Sequence, residues 1–251
     1  MTSIIKHLSG YSGSQVVLMR DELTTFVRKH GQNDRNLERL AALRSLGLSV
    51  PHVLYQGPEH YDMEYIRHTD MANWLSHNPI DGFVVWVTDV IDRFGKVSAE
   101  RDYLPVYQSK LGQASLQPFL DQLPFTTEQL ISKLPRYLPS GGYHGDLTMD
   151  NCLHGTDGKF YLIDPLTTDY DGWVFDLAKL MQDLVCGWFI RDKGVMLHGK
   201  LWAIRSAIVS KYPIANDLNL LILMLLRVLP YAKTAEDRGF LIKEINRLWI
   251  S

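Results

Sequence analysis

Cysteine is scarce. The 251 residues hold two, Cys152 and Cys186, too few for a disulfide framework or a cysteine metal cluster. Both lie among apolar neighbours and read as buried thiols. Long apolar runs are missing too. The most apolar stretch, Leu218 to Leu229, is interrupted by Asn219 and Arg227 and is too short to span a bilayer. The opening MTSIIKHLSGYSG has no apolar core of signal-peptide length. Basic clusters are absent as well: the formal net charge is −2 and no Lys/Arg run stands out, so no nucleic-acid partner is expected. Repeats and low-complexity tracts are not visible. These absences exclude a disulfide scaffold and membrane insertion and point to the reducing cytoplasm. What is there is a chain with 46% hydrophobic residues, which can build one large domain or two lobes sharing a cleft.

The N-terminal third reads as strands around one helix. Residues 14–29 alternate and carry β-branched residues on both sides of Arg20-Asp21-Glu22, the pattern of two antiparallel strands and a tight turn. From Asn33 to Leu48, Leu37, Leu40, Ala41, Leu43 and Leu46 fall at helical spacing; Gly47 closes the helix and Pro51 keeps the next segment extended. Val53–Gln56 and Tyr61–Ile66 read as two further strands. The rest is mainly helical, with periodic segments at 80–94, 126–134, 174–188, 198–210, 217–228 and 235–249. One exception interrupts it. Cys152-Leu153-His154 and Phe160 to Ile163 flank Gly155-Thr156-Asp157-Gly158, a hairpin signal. The expected class is α+β, with a small antiparallel-sheet lobe over residues 1–66 and a helical lobe over 67–251.

The hairpin region carries the chemistry. Residues 144–151 read His-Gly-Asp-Leu-Thr-Met-Asp-Asn, and thirteen positions after Asn151 comes Asp164, within Ile-Asp-Pro. Phosphoryl transfer needs one carboxylate to accept or orient the attacking hydroxyl, and hard oxygen ligands to hold Mg²⁺ against phosphates. Asp146 fits the first role, and Asn151 and Asp164 the second. An Asp followed five residues later by Asn is the catalytic-loop spacing of kinases, here with Gly145 in place of their Arg. A turn in which Asp146 and Asn151 bond their own backbone is the bland alternative.

His144-Gly145-Asp146, Asn151 and the later Ile-Asp-Pro resemble the aminoglycoside phosphotransferase and choline kinase family. The resemblance implies a two-lobed protein-kinase-like fold and ATP-dependent phosphorylation of a small molecule. It implies Asp146 as catalytic base and Asn151 and Asp164 as magnesium ligands. Asp176 can cap the start of its helix; the resemblance gives it a structural role, bracing the catalytic segment. Thr148 departs from the His that many family members carry, a change that leaves the three essential roles in place. The Ala-Pro-Glu and Asp-Phe-Gly signatures of protein kinases are missing, which argues against a protein substrate.

ATP then belongs to the N-terminal lobe. Ser12, Gly13 and Ser14 form a small-residue turn whose N–H groups and hydroxyls can approach phosphates, although no Walker Gly-Lys-Ser/Thr follows. A lysine on the second strand should reach the α- and β-phosphates, oriented by a Glu on the next helix. Lys29 is the expected cation, with Glu38 as its partner and Arg28 as the alternative, since alternation sends residues 28 and 29 to opposite faces. Glu64 and Ile66 lie in the segment that matches the adenine-binding linker of the family. The stretch from Thr69 through Leu75 looks like the first helix after it.

The acceptor is the least determined element. Trp74, Trp86, Tyr103, Tyr107, Trp188, Phe189 and Trp202 can stack on sugars or simply fill the core. Asp150, Asp169 and Asp171 can meet an amine or stay solvated. A sugar or sugar-like alcohol, as in kinases of bacterial surface-polysaccharide metabolism, is the first expectation. Choline, ethanolamine or an aminoglycoside comes next, then a kinase-shaped regulatory or binding protein with weak activity. The oligomeric state is not set by the sequence.

Overall fold

The computed structural model describes residues 2–8, 15–31 and 34–250. Ser12, Gly13 and Ser14 lie outside the described residues. The first half of the small lobe is β1 (Ser3–Leu8), β2 (Val16–Arg20) and β3 (Thr25–His30); α1 (Asp34–Ser45), β4 (Val53–Gln56) and β5 (His60–Glu64) complete it. All neighbouring strands are antiparallel, in the order β1-β2-β3-β5-β4. The β2–β3 turn is set by Asp21, whose Oδ1 accepts from the N–H of Leu23 (2.9 Å) and of Thr24 (2.7 Å), a side-chain mimic of a backbone turn. Strand β1, which the sequence reading passes over, is an edge strand exposed along nearly its whole length, so no buried face imposes an alternating pattern on it.

The register of the sheet sorts its charges. Arg28 stands opposite Val17 and Asp62, while Lys29 stands opposite Val16 and Tyr61. Arg28 forms a two-pronged bond to Asp62, at 2.8 and 2.9 Å, and is spent on the sheet itself. Lys29 points to the other face and is buried.

The remainder begins with β6 (His68–Asp70), α2 (Met71–His77), α3 (Asp81–Gly95), β7 (Ala99–Asp102), α4 (Leu104–Leu111) and α5 (Gln117–Leu120). It continues through α6 (Thr127–Lys133), β8 (Tyr137–Ser140), β9 (Cys152–Gly155), β10 (Phe160–Leu162) and α7 (Trp173–Cys186) to α8 (His198–Lys211), α9 (Leu218–Val228) and α10 (Ala235–Trp249). The hairpin β9–β10 pairs as its turn signal predicts, and β6 adds to it through β9. Here the structure corrects the sequence reading. Thr69 and Asp70, expected in the helix, belong to the strand His68–Asp70, the preceding strand stops at Glu64 rather than Ile66, and the helix starts behind Asp70, whose carboxylate caps the N–H of Asn73 at 2.9 Å.

The main core lies in the helical part. Residues 220–226 of α9 are buried without interruption, as is most of α7. Helices packed on several sides carry no solvent stripe, which is why the run around α9 is the most apolar of the chain. The result is an α+β fold of two lobes, with the 144–164 region beneath the sheet.

Candidate active site

Residues 144–149 run between β8 and β9 above helix α7. Gly145 sits at φ +91°, and a Cβ there would come within 1.9 Å of the Leu166 carbonyl oxygen, so glycine is required for the close approach. The His144 N–H donates to one oxygen of Asp176, and the Gly145 N–H donates to the other at 2.8 Å. The His144 ring is wholly buried. Its Nε2 faces the Ile163 carbonyl at 3.0 Å and its Nδ1 accepts from the Asp146 N–H at 3.3 Å. Burial pushes its pKa down to about 4, so the ring is neutral and its two nitrogens act as one donor and one acceptor.

The Asp146 side chain projects from this frame and is 32% exposed. Its Oδ2 accepts from Asn151 Nδ2 at 3.1 Å, and its carbonyl accepts from the same amide at 2.8 Å. Its Oδ1 lies 3.3 Å from Lys179 Nζ. Burial would raise the Asp146 pKa, but the cations Lys179 and Arg227 hold it below the usual carboxylate value. From α9, Arg227 also donates to the Gly145 carbonyl at 2.9 Å.

The hairpin brings the chain back. The Ile163 N–H donates to the Asn151 carbonyl at 3.0 Å, which sets the residue after Ile163 beside the end of the 144–151 segment. That residue, Asp164, has φ +55° and is the only non-glycine residue with positive φ among the described residues. Such backbone strain clusters at functional sites. Its carboxylate is 45% exposed and pairs with Lys29, so one ion pair joins the sheet to the hairpin. Glu38 does not take part. It is exposed on α1, whose core-facing residues are Leu37, Leu40 and Leu43. Among the described residues no ion pair links it to Lys29, so the expected Lys29–Glu38 pair is replaced by Lys29–Asp164.

Glu64 ends β5, and Ile66 lies in the segment between β5 and β6. The Glu64 N–H donates to the His52 carbonyl at 2.8 Å and its carboxylate accepts from the His52 N–H at 3.2 Å. The Ile66 carbonyl is engaged by the His68 ring at 2.6 Å, and its side chain is buried.

Three residues missed in the sequence belong to the site: Lys179, Asp183 and Arg227. Asp183 accepts from the Met149 N–H at 2.7 Å. A signal was available, since Asp176, Lys179 and Asp183 recur at i, i+3 and i+7, one face of a helix.

Burial raises the pKa of Asp183 to about 7 and overrides the Met149 N–H, which favours the ionised form. The folded state therefore keeps a proton that the unfolded chain releases above its lower pKa. That contribution to stability is complete below about pH 4 and is lost as pH rises through about 7. Asp183→Asn, which keeps the oxygen for Met149, is expected to flatten the fall in urea midpoint between pH 5 and pH 8. An unchanged slope would show that Asp183 is ionised throughout.

The donor set fits a hard divalent cation bound together with phosphates. Among the described residues no three His, Cys, Asp or Glu side chains converge to form a metal cage. Asn151 and Asp164 offer an amide oxygen and a half-exposed carboxylate, and Mg²⁺ prefers such partial sites completed by phosphate and water. The three acids considered for an amine-bearing molecule each pair with a cation of the chain: Asp150 with Lys193 (2.5 Å), Asp169 with Lys110 (2.7 Å) and Asp171 with Arg101 (2.6 Å).

The profile of the phosphotransferase enzyme family (APH) matches residues 6–192. Comparison with curated protein sequences gives no match. Among solved structures, the apo form of a thermostable mutant of aminoglycoside phosphotransferase APH(4)-Ia superposes with a TM-score of 0.65 at 10% identity, over 98% of this chain and 94% of that one. Choline kinase LicA from Streptococcus pneumoniae gives 0.58 at 14% identity, over 100% and 93%. A thermostable APH(4)-Ia mutant in ternary complex with ADP and hygromycin B gives 0.62 at 11% identity, over 98% and 93%. At these identities the likeness is one of fold.

Proposed function

The chain belongs to the phosphotransferase enzyme family, and from that premise we propose that it transfers the γ-phosphoryl group of ATP to a hydroxyl of a sugar or sugar-like alcohol. The observation that carries the reading is Asp146: a partly exposed carboxylate, kept ionised by neighbouring cations and hydrogen-bonded to Asn151, on the segment that the Lys29–Asp164 pair links to the sheet. The acceptor hydroxyl sits against Asp146, its oxygen attacks the γ-phosphorus, the bond to the ADP oxygen breaks, and the hydroxyl proton passes to the carboxylate. Lys29 steadies the α- and β-phosphates. Asn151 and Asp164 hold Mg²⁺, which offsets the charge on the phosphate oxygens when bound. Backbone groups of the Glu64–Ile66 segment meet the adenine.

The acceptor class rests on charge. Choline and aminoglycosides are cations and need free carboxylates or an aromatic cage. The acids of the 150–171 region are already paired, which favours a neutral polyhydroxyl compound. The test is ADP release with Mg-ATP across sugars, amino alcohols and aminoglycosides, with Asp146→Asn as the blank. Turnover with sugars is expected. Turnover confined to cationic acceptors would overturn the acceptor class, and failure to bind Mg-ATP would overturn the kinase reading itself; binding without turnover would indicate a kinase-shaped binding protein. Asp164→Asn, which tolerates the left-handed backbone, is expected to weaken Mg-ATP binding in calorimetry. A loss of roughly 10–100-fold is the scale known for partners one shell further from a metal. Unchanged affinity would remove Asp164 from the metal site.

A further inference from the structure

Helix α7 reads out the 144–149 segment in register. Asp176 takes the N–H groups of His144 and Gly145, Lys179 meets Asp146, and Asp183 takes the N–H of Met149. Two of these three residues hold backbone. Lys179 alone reaches a side chain, and that side chain is the carboxylate assigned to the acceptor hydroxyl.

A buried lysine is a poor way to stabilise a helix. The Lys179 side chain is 7% exposed, so its ammonium has given up most of its hydration, and a buried ion pair commonly contributes less stability than apolar residues of the same size. The geometry offers another use. Asn151 engages Oδ2 of Asp146 at 3.1 Å while Lys179 stands 3.3 Å from Oδ1. Held at both oxygens, the carboxylate cannot rotate freely about its last torsion, and each oxygen keeps a lone pair free for the open side.

We propose that Lys179 is a positioning residue for phosphoryl transfer, fixing the plane of the Asp146 carboxylate jointly with Asn151 so that its free lone pairs face the acceptor hydroxyl. The inference rests on the assignment of Asp146 as the base. It adds a residue outside the 144–164 region to the machinery, and it gives the row on α7 a purpose beyond holding a loop. A misplacement of about 1 Å in a reacting group is enough to cost roughly 10²-fold in rate, and that is the effect expected when the clamp loses one arm.

The test is a double-mutant cycle on ADP release at saturating Mg-ATP, with the best sugar of the panel, or with water as the acceptor. Lys179→Met is expected to lower turnover by about 10²-fold while the apparent KM for ATP stays within about twofold, because Lys29 and Asp164 are untouched. Lys179→Arg should restore part of the rate. In the Asp146→Asn background, Lys179→Met should remove nothing further, since a residue acting through Asp146 has no effect once the carboxylate is gone. A residue that merely supports the fold would lower the rate in both backgrounds. Thermal melting of each variant checks folding, and Lys179→Gln takes the place of Lys179→Met in the cycle if the latter does not fold. Turnover of Lys179→Met within about threefold of wild type, or losses that multiply across the cycle, would overturn the positioning role. Equal ADP release by wild type and Asp146→Asn would instead sink the base assignment, and the positioning role with it.

Discussion

Asp146→Asn is expected to leave the protein folded and able to bind Mg-ATP while lowering phosphoryl transfer by roughly 10²–10⁴-fold, the usual contribution of a positioned general base. The replacement has nearly the same shape, so packing around Leu147 and Met149, both wholly buried, should not change. What changes is the chemistry of the two oxygens. As a carboxylate, Asp146 accepts from Asn151 Nδ2 and stands against the Lys179 ammonium. An amide has one oxygen for two donors, and its NH₂ must turn toward one of them. It also cannot take up the proton of the attacking hydroxyl. The loss should therefore fall on kcat, with the Kd for Mg-ATP from calorimetry nearly unchanged, because the proposed nucleotide contacts lie elsewhere, at the paired Lys29 and Asp164. An Asp146→Asn protein with full activity on the true acceptor would refute the role given to Asp146, and a large loss of nucleotide affinity would place the side chain on the metal instead.

The parts of the protein legible in the sequence are those in which local chemistry decides structure. The β2–β3 hairpin announces itself through Asp21, and β9–β10 through its Gly155–Gly158 turn. Helices α7, α8, α9 and α10 appear within about two residues of their expected bounds, as is usual for strongly periodic segments. Elements set by distant partners are not legible. Strands β7 and β8 are four residues each, AERD and YLPS, and exist because they pair with each other across the chain. Thr69 and Asp70 of strand β6 read locally as the start of a helix, because the strand's reason for being extended is β9, more than eighty residues away. The same division runs through the site. Asp146, Asn151 and Asp164 lie within one stretch, and their spacing could be read directly. The partner of Lys29 depends on how the sheet sits over the hairpin, and alternation alone could not tell Asp164 from Glu38. Lys179 was hidden for another reason: a lysine in a helix is ordinarily solvated, and only the burial of α7 on all sides makes this one an interior charge.

Gly145→Ala is expected to be far more damaging than Gly158→Ala. Both glycines sit in the left-handed region, at φ +91° and +80°, so an alanine pays a similar backbone penalty at each, on the order of 1–3 kcal/mol. Their surroundings differ. At Gly158, in the β9–β10 turn, a Cβ would meet nothing within 4 Å; at Gly145 it would lie 1.9 Å from the Leu166 carbonyl oxygen and 3.3 Å from Thr168 Cγ2. Relief requires moving backbone, and the backbone on both sides is committed: the Leu166 N–H donates to the His144 carbonyl, the Gly145 N–H to Asp176, and the Gly145 carbonyl accepts from Arg227. Overpacking of this kind adds about 1–3 kcal/mol, giving a total loss of roughly 2–6 kcal/mol for Gly145→Ala against about 1–3 kcal/mol for Gly158→Ala. Urea midpoints of the two variants measure the difference, and ADP release measures its consequence. Because Asp146 follows Gly145 directly, Gly145→Ala should lose most of its turnover even in conditions where it remains folded, while Gly158→Ala should keep it. Equal stability losses for the two variants would mean that the 144–146 segment can move away from Leu166 at little cost, and a mobile segment of that kind could not hold the Asp146 carboxylate in the orientation that transfer requires.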